Sequence, residues 1–255
     1  MIGYLKLQLQ FWKQGWRERL SMVPAATAGP LPPPRLRHRV HGSIDAATYL
    51  EVGRRSWACL VDLLRETGRD PEALSAILDF GCGSGRVIRQ IPVHDRPDRT
   101  VWGVDVDPAA IRWCSRNLGG YHFATVPDRP PTALADDQFD FIFAISVFSH
   151  LDEQRQFAWL AELQRLLRPG GIVVASVHGE YHRSVTRRRF DMGTGFAFTR
   201  LRTGWFKKDG LPDFYQDAQH TRAYVEREWS RTFRVLLYRE RGMNQHQDAV
   251  VLTSR

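Results

Sequence analysis

The chain has 255 residues, a formal net charge of +8 and three cysteines. That length suits one domain of ordinary size with a full hydrophobic core. The sparse, odd set Cys59, Cys82 and Cys114 argues against a disulfide framework and for a reducing cytoplasm. No apolar run approaches the roughly 20 residues needed to span a bilayer, and nothing at the N-terminus looks like a secretory signal.

Residues 1–20 place Leu5, Leu9, Trp12, Trp16 and Leu20 on a helical stripe, although Leu5, Leu7, Leu9 and Phe11 also alternate as in a strand. Tryptophan among basic residues suits a helix lying on a membrane surface. Packing on the chain's own domain, or on a second copy in a homodimer, is the reading preferred here. Residues 21–34, rich in Pro, Ala and Gly, read as an extended linker, so residues 1–42 form an N-terminal appendage and residues 43–255 one domain. A helix is expected over 43–67, with Ser43 as its cap, Asp45 in its first turn and Gly53 as a point of close approach.

The most informative stretch is Ala76 to Arg86. Ile77, Leu78 and Phe80 form a short apolar block, as in a parallel strand buried on both faces. Asp79 puts a carboxylate near its end, and Gly81, Gly83 and Gly85 let the backbone turn sharply and approach a bulky ligand before a helix starts. Val101 to Asp105 is a second strand ending in an acid, 24 positions beyond Gly81, and Pro108 opens the helix that follows it. In doubly wound nucleotide-binding folds an acid about 20 residues past the glycine turn hydrogen-bonds ribose hydroxyls. Gln138 to Ser146 reads as a central strand leading to His150. Leu160 to Leu167 is an amphipathic helix ended by Arg168-Pro-Gly-Gly171, and Ile172 to Val177 is the next strand.

Residues 179–220 have weak periodicity and many aromatic and basic side chains, the signature of a functional lid. Residues 221–229 then read as a helix, and 233–238 and 249–253 as closing strands. Charge is uneven. Residues 1–42 carry seven Lys/Arg against one acid and residues 181–241 fourteen against seven, whereas 43–180 carry fourteen against nineteen. A basic rim around an acidic middle can attract anionic partners, but an Arg-rich soluble protein is the plainer explanation.

A strand ending in an acid, then Gly-x-Gly-x-Gly, then Phe-Asp before an apolar strand, then Leu-x-Pro-Gly-Gly, in this order, resembles the class I S-adenosylmethionine (SAM) dependent methyltransferases over residues 76–178. The resemblance implies an α/β, Rossmann-like doubly wound sheet of seven strands, mostly parallel with an antiparallel C-terminal hairpin. It implies SAM as cofactor, with Asp79, Gly81, Cys82, Gly83, Gly85, Asp105, Val106, Ala144 and Ser146 around it. An acid beside the glycines suits a cationic sulfonium and would repel a pyrophosphate, which argues against a nicotinamide dinucleotide. Relatives often carry an acid after the third strand for the adenine amino group; here Phe123 to Pro127 offers none before Asp128, so Thr125 or backbone groups remain.

His150, just past the fourth strand, and His178, at the end of the fifth, are the candidates for proton transfer at the carboxyl edge of the sheet, where such folds bind ligands. Glu180, Tyr215 and His220 are candidates for acceptor binding, and no metal site is expected. Ser-Val-Phe-Ser-His-Leu at 146–151, Val-His-Gly at 177–179 and His-Gln-Asp at 246–248 resemble a bacterial subfamily common in biosynthetic gene clusters. That likeness implies methyl transfer to an O or N of a small metabolite or carbohydrate-like acceptor. A nucleic-acid acceptor is disfavoured because Ala144 to Phe148 lacks the Asp/Asn-Pro-Pro-aromatic pattern of base-amine methylation. A SAM-binding interaction protein without catalysis is the third reading.

Overall fold

The computed structural model describes residues 2–20, 29–186, 188–200 and 212–255. Among these residues a seven-stranded sheet runs in the order β3-β2-β1-β4-β5-β9-β8. Strands β1 (Ala76–Phe80), β2 (Thr100–Asp105), β3 (His122–Thr125), β4 (Phe139–Ala144) and β5 (Leu167–Val177) pair in parallel. The last strand, β9 (Gln247–Thr253), runs antiparallel between β5 and β8 (Arg234–Met243). This is the sheet that the sequence motifs imply.

Alternation along the strands feeds two cores. Leu78, Phe80, Ile142 and Val173 pack on one face with α5 (Glu153–Leu166) and α7 (Arg222–Glu228). Ile77, Val101, Phe141 and Phe143 pack on the other with α3 (Ala46–Glu66) and α4 (Pro108–Asn117). Strands buried on both faces carry apolar side chains on both, so β1 and β4 read as continuous runs.

Several local expectations change. Asp45, not Ser43, caps α3, accepting from Thr48 N at 2.7 Å, while Ser43 Oγ accepts from Asp45 N. Gly53 approaches the glycine turn itself: a Cβ there would lie 2.2 Å from Arg86 O. The turn after β1 opens no α-helix but a short 3-10 segment, Ile88–Gln90, because Pro92 follows within a turn and denies the backbone donor that continuation needs.

Residues 2–20 are helical (α1, Ile2–Leu20), which resolves the helix-or-strand ambiguity, and Leu9, Trp12 and Trp16 stand exposed on it. The end of the expected linker is also helical: α2 (Pro34–His41) starts on Pro34 and ends at Gly42, whose φ of 71° suits glycine. Buried Arg37 binds α2 to its surroundings through Glu18 of α1, Pro32 O and Ile44 O.

The lid contains α6 (Glu180–Val185) and a hairpin of β6 (Phe196–Thr199) and β7 (Asp217–His220). Residues 201–211 of the expected lid lie outside the described residues. Among the described residues no helix is long and apolar enough to cross a membrane.

Candidate active site

A cleft opens at the carboxyl ends of β1, β2 and β4, with about 1060 Å³ of empty space including its solvent-open part. Its floor is the turn from Gly81 to Gly83, where Gly81 has φ 82° and Gly83 has φ 54°. Neither glycine has room for a side chain. A Cβ on Gly81 would sit 2.4 Å from Val147 Cγ2, and one on Gly83 2.5 Å from Val40 Cγ2. Backbone bonds from Gly81 N and Cys82 N to Val104 O hold the turn against β2. On the α3 side, the buried Tyr49 hydroxyl donates to Ser84 O at 2.9 Å.

Asp105 organises the second wall. Its Oδ2 accepts from Gly83 N and its Oδ1 from Asp107 N, both at 2.8 Å. Asp107 caps α4 through Ala109 N and Ala110 N and forms an ion pair with Arg39 of α2 across the cleft. Asp79 lies buried at the bottom, and its Oδ2 meets no hydrogen-bond partner among the described residues. Burial first, and then the charge of Asp105, push its carboxyl well above the usual range. Burial likewise raises Asp105. Burial and the two acids hold the Cys82 thiol protonated, so Cys82 packs rather than reacts.

Of the residues expected around a cofactor, Asp79, Gly81, Cys82, Gly83, Asp105, Val106 and Ser146 line this cleft. Two do not. Gly85 packs on the end of α4, where a Cβ would meet Leu118 Cδ1 at 2.6 Å. Ala144 is wholly buried in β4, opposite Ala175, and the cleft wall begins one residue later at Ile145. Sequence reading missed the roof formed by Leu36, Arg39 and Val40, since Pro and Arg hid a helix of eight residues. It also passed over Asp128, which lines the cleft past β3 and pairs with Arg155 at 3.5 Å.

The far wall is a polar network. Ser146 has φ 58°, a left-handed conformation that costs energy in a residue with a Cβ. It is fixed by its own N–H donating to Ser176 Oγ at 2.8 Å and by Gln247 Oε1, which accepts from both serine hydroxyls. Tyr215 covers this wall, its hydroxyl donating to Ser146 O at 3.0 Å.

Behind Tyr215 the fold gathers histidines. His150 contacts Gln216 O through Nδ1 at 2.5 Å. A carbonyl only accepts, so Nδ1 carries the proton and Nε2 keeps its lone pair. Burial, with a smaller part from His178, pulls His150 down to about 3. His178 is buried, meets His150 edge-on with centroids 5.5 Å apart, and reaches Asp217 Oδ1 at 3.1 Å. His182 lies parallel to His178 with centroids 3.6 Å apart, and burial lowers it to about 4.

Two acceptor-site expectations are corrected. His220 is fully buried and bound through Nε2 to Gln156 Oε1 at 3.0 Å, bolting β7 to α5, and burial lowers it to about 3. Glu180 points to solvent and pairs with Arg183. Asp217, which no sequence pattern marked, joins the cluster because β7 docks beside the end of β5 through a bridge between His178 and Gln219.

A protein-family profile described as a methyltransferase domain matches residues 78–173. The malonyl-[acyl-carrier protein] O-methyltransferase of Hahella chejuensis is 26% identical over 145 residues, 53% of this chain and 51% of that protein. The tRNA N(3)-cytidine methyltransferase of Gallus gallus is 26% identical over 156 residues, 56% of this chain and 42% of that protein. The chain thus spans about half the length of the curated relatives it matches. In fold it is similar to a solved S-adenosylmethionine-dependent methyltransferase from Clostridium acetobutylicum, with TM-score 0.55, 12% identity, and coverage of 78% of this chain and 91% of the other. The matched methyltransferase-domain profile runs from β1 to β5 of the sheet, and the fold of the chain is similar to that of the solved methyltransferase.

Proposed function

We propose that the protein transfers a methyl group from SAM to an oxygen or nitrogen of a small metabolite or carbohydrate-like acceptor. The observation that carries the cofactor assignment is the unpartnered, buried Asp79 Oδ2 beneath a turn whose glycines 81 and 83 leave no room for a Cβ. An acid left unmatched in a dry cleft is costly unless a cation meets it, and SAM is cationic. Asp79 and the backbone of Gly81 to Gly83 would hold its charged end, and Asp105 the ribose hydroxyls. Bound there, SAM supplies a methyl group already activated on a positively charged sulfur.

The chain's own residues then position and shield. Leu36, Arg39 and Val40 cover the cleft from above, and Phe214 and Tyr215 close it from the lid, excluding water from the reaction. His150 lies behind Tyr215 rather than in the cleft lining, and because burial keeps its imidazole neutral its Nε2 would orient an acceptor by accepting a hydrogen bond rather than by carrying the proton away. Alignment of acceptor and methyl group supplies most of the remaining rate enhancement.

The roofed cleft favours a small acceptor over a base held in a duplex. The likeness to a tRNA methyltransferase keeps RNA as the second reading. Incubation with SAM labelled in the methyl group distinguishes them. Label should appear in the small-molecule fraction of a cell extract; label in bulk tRNA alone would replace the acceptor class, and no calorimetric binding of S-adenosylhomocysteine would end the cofactor assignment.

A further inference from the structure

We propose that α1 docks the protein on an anionic lipid bilayer, lying along the headgroup plane as a peripheral helix. The sequence sets Leu5, Leu9, Trp12, Trp16 and Leu20 on one helical stripe, which packing against the domain would bury. Leu9, Trp12 and Trp16 face solvent instead, 54%, 61% and 48% exposed. With Val185 they are the exposed large hydrophobic side chains among the described residues. The other side of the helix attaches it. Phe11 is buried and meets His38 of α2 edge-on with ring centroids 5.3 Å apart, and Glu18 pairs with the buried Arg37. One side of α1 is thus fixed to the domain, and the other presents two tryptophans in edge contact, centroids 5.8 Å apart.

Charge selects the occupant. The helix carries Lys6, Lys13, Arg17 and Arg19 against a single acid, Glu18, and Arg37 already takes that acid. Lys13 is exposed, and cations recur seven residues before it and four after it, spacings that return to one side of a helix. A second copy would meet these cations with its own, whereas anionic headgroups attract them. Area points the same way. Two tryptophans and a leucine exposed to this extent offer roughly 400 Å², about half of the roughly 800 Å² per partner that a stable dimer buries. A helix in the interface needs only such a stripe, sunk about 5–10 Å below the headgroups with Lys and Arg at its margin. Five charged residues among nineteen keep α1 on the surface rather than across the bilayer. The Glu18–Arg37 pair ties α1 to α2, whose Leu36, Arg39 and Val40 roof the cleft, so the docked helix adjoins that roof. The docking itself does not rest on the methyl-transfer reading.

The test is sedimentation of the full chain with vesicles of phosphatidylcholine, alone or mixed with phosphatidylglycerol, at low salt. We expect binding to the anionic vesicles, weakening as salt is raised, and none to the neutral ones. Lys13→Gln should weaken it about fivefold, the effect of one cation near the surface. Trp12→Ala combined with Trp16→Ala should abolish it. Both variants should bind S-adenosylhomocysteine as the parent does, which separates loss of docking from loss of fold and from failure of the cofactor assignment. Absence of sedimentation with anionic vesicles, or equal sedimentation with neutral ones, overturns the proposal, as does binding that survives the paired tryptophan substitution. A dimer seen by analytical ultracentrifugation and abolished by the same substitution would also overturn it, assigning the stripe to a second copy.

Discussion

Tyr215 lies on the His150 imidazole with ring centroids 4.0 Å apart and planes 22° apart, and its hydroxyl holds Ser146 O. One side chain therefore forms a wall of the cofactor cleft and the cover of the histidine cluster. Tyr215→Phe keeps the stack and loses one hydrogen bond within the protein worth about 1 kcal/mol, so the melting temperature should fall by roughly 2–4 °C. Tyr215→Ala also loses a stack worth roughly 0.5–1.5 kcal/mol and should lower it further. Equal melting temperatures for the two variants would show that the stack contributes nothing.

Asp79 and Asp105 should respond differently to neutralisation. In the free protein Asp79 is a buried acid whose ionised form is disfavoured by burial and by Asp105. Because its folded value is raised, its ionisation erodes stability as pH rises through that value. Asp79→Asn should therefore raise the melting temperature near pH 7 while weakening cofactor binding. Asp105→Ala instead removes the acceptor for Gly83 N and Asp107 N. Hydrogen bonds to a charged acceptor are worth roughly 1.5–3 kcal/mol, so stability should fall by at least that much, while affinity falls through loss of the acid assigned to the ribose hydroxyls. Calorimetric unfolding and ligand titration check both.

Gly83→Ala tests the contact between the glycine turn and α2. The new Cβ would meet Val40 Cγ2 at 2.5 Å with φ held at 54°. The left-handed conformation alone costs about 1–2 kcal/mol in an L-residue, which corresponds to a loss of roughly 2–8 °C in melting temperature. Val40→Ala should restore the part due to the clash and leave the part due to φ. Full recovery by Val40→Ala would mean that backbone conformation plays no role.

Much of this was legible in the residues. Apolar runs closed by Asp79 and Asp105 gave the parallel strands, and glycines at 81 and 83 gave the turn, because buried parallel strands and tight turns impose strong local rules. Features made by long-range docking were not legible. Arg37 and Arg39 entered the sequence reading only as part of the basic charge of residues 1–42, yet one is buried against Glu18 and the other spans the cleft to Asp107. His220 read as a lid residue open to the acceptor, but β7 carries it beneath the hairpin to Gln156. Asp217 had no motif around it, since its partners arrive from β5 and α6.

Acid should destabilise the fold through His150 and His220. Both are lowered to about 3 by burial, from 6.5. Between these values the unfolded chain binds protons that the folded chain refuses, so stability falls as pH drops below 6.5. At pH 5 each contributes a loss of about 2 kcal/mol. His220→Gln should flatten the decline measured by denaturant unfolding between pH 7 and pH 5; an unchanged slope would remove His220 from the account.

Strand β9 separates β5 from β8 and carries Gln247, which anchors the serines at the end of the cleft. A ribosome delivers the glycine turn long before it delivers this anchor. Until residues 247–253 have emerged, the nascent chain must leave Ser146 without its Gln247 clamp, so the left-handed backbone there is secured only once β9 has paired with β5.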